Sequence, residues 1–331
     1  MRRLFLYSLS STFAIIGSII GAGFVTGKEV FEFFAKDLSI GGVYLAFLGF
    51  AFAIYFVMCM NGNSSYKWFE IFVSIASIVV AGCMISALDL VYKRLFTGLK
   101  NVKIISIVTA ILLFYMSFGG ICSVEKFCVF ILPIVTVILI SLCVIRIEDY
   151  SMAISPNSAM GIYKPFVYVG FNVVLSAGVI KNSGEKLSPL FKIISSLLTS
   201  FIIVACILLI SLAVKDEGSC SEMPFISLFS NNIKLLKIID IITLFAIYST
   251  LISSLYTINH FGGIRLVLPM KILLFVVAVI ISYIGFGQIV ERLYFALGAL
   301  AYVLIIISFL LSKSFQVKRQ VHTSSLLKCR E

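Results

Sequence analysis

The sequence predicts an all-α polytopic membrane protein, and three observations carry that prediction. Apolar residues fill 61% of the 331 positions and charged ones only 12%, about half the charged share of a soluble domain. Mean hydropathy is +1.13. The apolar residues gather in repeated runs of about 20, each long enough to cross roughly 30 Å of hydrocarbon at ~1.5 Å per residue. Finally, two of these runs, the first and the sixth, carry polar and glycine interruptions near their middles.

Cut at Pro, Gly, Asn and charge clusters, the runs give ten spans. They lie at about 9–35, 40–60, 69–94, 103–121, 124–146, 161–181, 189–214, 237–260, 269–287 and 289–312. Arg2 and Arg3 precede the first run as in a signal peptide, but no small-residue cleavage site follows, so the run is read as a retained span. An even number of spans puts both termini on one side. A small excess of Lys and Arg in the loops of that side predicts cytoplasmic termini in the plasma membrane. The longest loops, 148–161 and 215–236, then lie outside, and the tail 313–331 is a basic cytoplasmic end. The spans form one transmembrane domain over 1–331, with halves at about 9–146 and 161–312. Five spans per half give two repeats of opposite orientation, a plan in which paired discontinuous helices build a solute site at the bilayer midplane.

The first interruption reads Gly17-Ser-Ile-Ile-Gly-Ala-Gly-Phe-Val-Thr-Gly-Lys-Glu-Val-Phe-Glu. In hydrocarbon an opened helix leaves backbone groups costing several kcal/mol each, so such a break survives where it lines a cavity or holds a ligand. Amides from Gly23 to Thr26 would suit a carboxylate. Carbonyls from Gly17 to Ile20 would suit a small cation. The same glycines also fit close helix packing, since Gly17 with Gly21 and Gly23 with Gly27 are small-xxx-small pairs. The second interruption is Tyr168-Val-Gly-Phe-Asn in span six, with Tyr168 and Phe171 as pocket walls and Asn172 as a lining group or an interhelical bond. In span eight, Thr250, Ser253, Ser254 and Thr257 repeat at i, i+3, i+4 and i+7, a stripe of hydroxyls on one face that suits a hard cation such as Na⁺. Hydroxyls there also bond back to their own helix.

Lys28, Glu29, Glu32 and Asp89 stand out as charges within spans, each costing about 2.5–3.5 kcal/mol at a helix centre. Lys28 and Glu29 follow the glycine break by one to two turns and read as an outer gate pair. Glu29, Glu32 or Asp89 is alternatively the carrier of a coupling proton. Enzymatic chemistry is disfavoured: His260 and His322 are the only histidines, and neither a metal pair nor a triad can be assembled from them. No P-loop occurs, and the Gly21 segment is off the dinucleotide-binding spacing. Eight scattered cysteines, Cys59, Cys83, Cys122, Cys128, Cys143, Cys206, Cys220 and Cys329, lack paired metal-ligand spacing and read as small buried hydrophobes. The net charge of +11 sits in short loops and termini, which favours anionic headgroups over nucleic acid.

The segment from Gly17 to Phe34 resembles the first-span signature of the YkvI-like family of amino-acid permeases, a branch of the amino acid–polyamine–organocation superfamily. Tyr168-Val-Gly-Phe-Asn and the Gly184-Glu-Lys-Leu-Ser-Pro turn resemble that family's sixth span and following turn. The resemblance implies the LeuT-type fold, with five plus five inverted spans and discontinuous helices 1 and 6. It implies solute held by Gly21, Ala22, Gly23 and Phe24, with Tyr168, Gly170, Phe171 and Asn172 opposite. It also implies Na⁺ among the carbonyls of Gly17 and Ile20 and the hydroxyls of Thr250, Ser253 and Ser254. Span six lacks the Glu-Ser/Thr signature of many amino-acid antiporters, so their exchange mechanism is not implied. The expected activity is Na⁺-coupled symport of a small amino acid by alternating access, with no other cofactor. The alternatives are proton coupling and a membrane sensor that binds a ligand without moving it.

Overall fold

The computed structural model describes residues 2–59, 67–96, 101–119, 137–144, 158–185, 187–215, 221–259, 267–305 and 307, and every described element is helical. Helices are the expected outcome for chains this apolar, because a helix satisfies its backbone groups within one segment when no water is at hand. Among the described residues, five are long and apolar enough to cross a membrane: α4 (Ile40–Cys59), α5 (Phe69–Leu95 of Lys67–Leu95), α10 (Pro189–Val214), α12 (Ile233–Asn259) and α14 (Phe286–Ile305). A sixth span forms if α8 (Ala159–Leu175) and α9 (Ala177–Glu185), bent by 64°, count as one. α6 (Val102–Met116) and α13 (Leu268–Ile281) are shorter and apolar, and α7 is the helical stretch 137–144.

The first span is three pieces, α1 (Arg2–Ile19), α2 (Ala22–Val25) and α3 (Lys28–Phe33). The fifth expected span, 124–146, is described only over 137–144, and the tail and both histidines lie outside the described residues. So do Cys122, Cys128, Cys220 and Cys329, and most of the 148–161 loop.

Helix starts follow local chemistry. Pro189 and Pro224 begin α10 and α11 (Pro224–Ser227), where the missing N–H costs nothing. Ser158 caps α8, its hydroxyl accepting from the Gly161 amide at 2.9 Å. Packing follows small residues, because lipid offers helices no hydrophobic incentive to pair and close backbone approach must supply the attraction. A Cβ on Gly82 of α5 would lie 2.8 Å from the Ala278 carbonyl of α13, and one on Gly184 of α9 would lie 2.7 Å from the Met58 backbone of α4. Hydroxyls add cross-links: Thr12 to Ser195 at 2.9 Å joins α1 to α10, and Ser200 donates to the Phe47 carbonyl at 2.6 Å to join α10 to α4.

The outer faces of α4, α6 and α13 expose Tyr44, Phe52, Ile104, Leu112, Leu273 and Ile280, as lipid-facing surfaces should. The interior holds α2, most of α5 and the second half of α8, with Tyr168, Tyr294, Phe24 and Phe225 among the largest fully buried side chains.

Candidate functional site

The candidate site lies at the opening of the first span. Ile20 still donates to Ile16 at 2.8 Å, but the Gly21 amide turns to the Ile19 carbonyl at 3.0 Å and the Ala22 amide leaves the helix altogether. It donates to the Thr250 hydroxyl of α12 at 3.1 Å. The two amides that would bond the carbonyls of Gly17 and Ser18 in a continuous helix are thus engaged elsewhere. Gly21 itself is extended (φ −101°, ψ −169°), and a Cβ there would stand 3.1 Å from the Thr250 hydroxyl, so glycine lets α12 come close.

A second break follows at Thr26 and Gly27. Gly27 has φ +77°, a left-handed conformation that favours glycine, and its space is bounded by Phe225, whose amide donates to the Thr26 carbonyl at 3.1 Å. This second turn rotates α3 relative to α2, and it corrects the expectation for Glu29. Rather than pairing with Lys28 at an outer gate, Glu29 is turned inward and is 7% exposed. Its carboxyl lies against Gly23 in the space a Cβ would need, and Tyr168 of α8 donates to its Oε2 at 3.4 Å. Lys28 instead pairs with Glu32 at 2.9 Å, and Lys36 approaches the same carboxylate at 3.9 Å.

Across from this, Tyr168 is fully buried in a box of Phe33, Phe34 and Phe50, with ring centroids 5.3, 5.3 and 6.4 Å away. Phe171 packs on Tyr294 of α14 at 4.4 Å, and the Asn172 amide donates to the Tyr168 carbonyl at 3.0 Å within the helix. The expected opening at Tyr168–Asn172 is therefore displaced: α8 runs on through these residues and bends at Ser176, one turn later. Asn172 spends its donor inside the helix rather than opening it. Gly170 faces α14, where a Cβ would collide with the Tyr302 ring.

The hydroxyl stripe of α12 divides. Thr250, Ser254 and Thr257 each donate to the carbonyl four residues back, at 3.1, 2.8 and 3.1 Å. Thr250 also receives Ala22, Ser254 is buried, and Ser253 is exposed on another side of the helix. Gly21, Ala22, Gly23, Phe24, Tyr168 and Thr250 thus stand together at the break, with Phe171 and Asn172 along α8, while Gly170 and Ser253 point elsewhere. Asp89, near the end of α5, contacts Lys93 at 3.4 Å, Lys103 at 3.9 Å and the Ser106 hydroxyl at 3.3 Å.

Sequence reasoning missed several partners. Asp240, an acidic residue inside the eighth apolar run, binds the Arg94 guanidinium at 3.0 Å, and the same guanidinium donates to the Met223 sulfur at 2.8 Å. Tyr294 and Cys83 lie beside Glu29 and Tyr168. Asp240 could have been noticed as a lone acid in an apolar helix, whereas Tyr294 and Cys83 gave no signal at all. A groove between α4 and α10, lined by Ile40, Tyr44, Phe47 and Phe201, is apolar and contains none of these residues. Among the described residues no group of three His, Cys, Asp or Glu side chains is arranged to hold a metal.

No family model matches the chain, and no curated protein matches it in sequence. Solved structures do resemble it. One is Mhp1, a nucleobase-cation-symport-1 family transporter in a closed conformation with bromovinylhydantoin bound. Its TM-score is 0.58 at 16% identity, over 90% of this chain and 76% of that one. Another is a manganese transporter of Eremococcus coleocola, with TM-score 0.57 at 11% identity over 93% and 78% of the two chains. The same transporter bound to an aromatic bis-isothiourea compound gives 0.56 at 12% identity. At these identities the likeness shows the fold alone: the chain is a multi-pass helical membrane protein with the LeuT-type fold of these transporters.

Proposed function

We propose that the chain is a secondary transporter that moves a small organic solute by alternating access, with the solute held at the opened first span. The observation that carries this is the break itself. Its backbone is opened at Ile20–Gly21 deep among the helices, and the Ala22 amide is bonded to Thr250 of another span. Irregular backbone at membrane depth is tolerated where it is buried in protein or lines a cavity, and broken helices are how transporters bring main-chain groups to a solute. The resemblance of the first and sixth spans to YkvI-like permeases makes a small amino acid the first solute to test. Ten spans in two inverted repeats, with cytoplasmic termini in the plasma membrane, complete this reading.

Coupling to Na⁺ is the leading mechanism. The carbonyls of Gly17 and Ile20 with the hydroxyls of Thr250 and Ser254 offer oxygen ligands of the kind a hard cation takes, and Ser253 joins them only if α12 rotates. Uptake of a radiolabelled small amino acid into proteoliposomes, with and without an inward Na⁺ gradient, tests it. Accumulation that needs the gradient supports the reading. Accumulation that ignores Na⁺ and follows pH removes Na⁺ from the mechanism. Binding with no uptake under any gradient makes the chain a sensor on a transporter fold.

A further inference from the structure

We propose that Glu29 is a proton-binding site of the transport cycle, and that its proton and a carboxylate-bearing solute load together. This rests on the transporter reading but not on Na⁺ coupling. Of the three carboxyls that the sequence offers as proton carriers, two have cations at hand, and Asp240 of α12 is likewise bonded to Arg94 at 3.0 Å. Glu32 is bonded to Lys28 at 2.9 Å, and Asp89 stands 3.4 Å from Lys93 and 3.9 Å from Lys103. Glu29 has none: among the described residues no Lys, Arg or His lies within ion-pair distance of it, and it is 7% exposed.

The titratable groups that face it are Tyr168 from α8, Tyr294 from α14 and Cys83 from α5. All are uncharged in their ordinary state. Lys28 and Glu32 on its own helix are committed to each other. Among the described residues the Tyr168 hydroxyl donates to it at 3.4 Å, and the buried Tyr294 hydroxyl lies beside the Cys83 thiol. Burying a carboxylate without a cation is costly, and a bound proton removes that cost.

Position gives the proton a role. The Glu29 carboxyl lies on Gly23, in the middle of the segment expected to meet the solute. A negative charge there repels a solute carboxylate, and a neutral acid does not. Protonation of Glu29 from the side that the solute enters therefore favours solute binding, and by linkage bound solute favours the proton. When α3 separates from α8 and water reaches the carboxyl, the proton passes from Glu29 to that water and the restored charge helps expel the solute.

Two measurements on the purified full chain test this. In infrared difference spectra across a pH titration, the wild type is expected to show a protonated-carboxyl C=O band that Glu29→Gln abolishes and Glu32→Gln retains. Tyr168→Phe, which deletes a hydrogen bond to the charged form, is expected to move the midpoint of that band to higher pH. Thermal shifts with L-alanine are expected to grow as pH falls for the wild type and to be independent of pH for Glu29→Gln. A titrating band unchanged in Glu29→Gln, or a pH dependence that survives it, overturns the proposal. If Glu29→Gln does not fold, an unmoved band in Tyr168→Phe overturns it instead. A wild type that responds to no amino acid at any pH counts against the amino-acid reading, and the infrared band still decides Glu29.

Discussion

Gly23 and Glu29 share one space: the carboxyl of the second occupies the volume that any side chain on the first would need. Gly23→Ala is accordingly expected to destabilise the protein by about 1–3 kcal/mol, the usual range for overpacking. In thermal unfolding, Glu29→Ala should remove most of that cost in the double variant, because neighbours that compete for one space are not additive. Additive effects would mean that the two do not touch. Thr250 is the other residue on which the break depends. Thr250→Val keeps the shape but leaves the Ala22 amide without its acceptor, an expected loss of about 1–3 kcal/mol. Thr250→Ser should restore the stability, along with any Na⁺-dependent thermal shift. Thr250 was legible in the sequence as a hydroxyl inside an apolar run, although Ser253 of the same stripe faces another side of the helix. The inward turn of Glu29 was not legible. Along an uninterrupted helix it falls one to two turns past the glycines and toward water, and only the left-handed turn at Gly27 brings it back over Gly23.

At the scale of elements, that turn is the decisive local feature. Gly27→Ala would place an L residue at φ +77°, at roughly 1–2 kcal/mol for the left-handed region. It would also set a Cβ 2.9 Å from the Cβ of Phe225. Unfolding measurements should therefore show a loss of about 2 kcal/mol or more, larger than for an alanine at Gly178, where a Cβ meets nothing within 4 Å. Span boundaries were largely legible: the second and seventh runs, expected at 40–60 and 189–214, are α4 at Ile40–Cys59 and α10 at Pro189–Val214. Prolines, glycines and charges punctuate those runs, and local chemistry sets where they stop. The bend of the sixth span depends instead on tertiary packing. Tyr168 and Asn172 look like a break in the sequence, yet Asn172 satisfies itself on the Tyr168 carbonyl and Gly170 exists to admit Tyr302. The bend moves to Ser176, where small residues follow.

For the whole molecule, α5 and α12 pack along their lengths and are pinned at one end by Arg94 and Asp240. The Asp240 side chain is 2% exposed and the Arg94 side chain 31%. Arg94→Ala leaves the acid without its cation, and the expected loss is about 2–3 kcal/mol. This is below the ~3–5 kcal/mol of a fully buried pair, because water already reaches the arginine. Asp240→Asn with Arg94→Ala should recover part of it in the same unfolding assay. α11 lies at this same end, and its Phe225 amide, bonded to the Thr26 carbonyl, links the pin to the broken first span.

The central claim is that the opened first span is the transport site, and solute counterflow in proteoliposomes tests it most directly. Vesicles preloaded with an unlabelled small amino acid and containing the wild type should take up the labelled compound. Gly21→Leu, which fills the space between the break and Thr250, should be folded and monodisperse yet unable to exchange. Exchange by Gly21→Leu at the wild-type rate would contradict the account and reduce the glycines to helix packing.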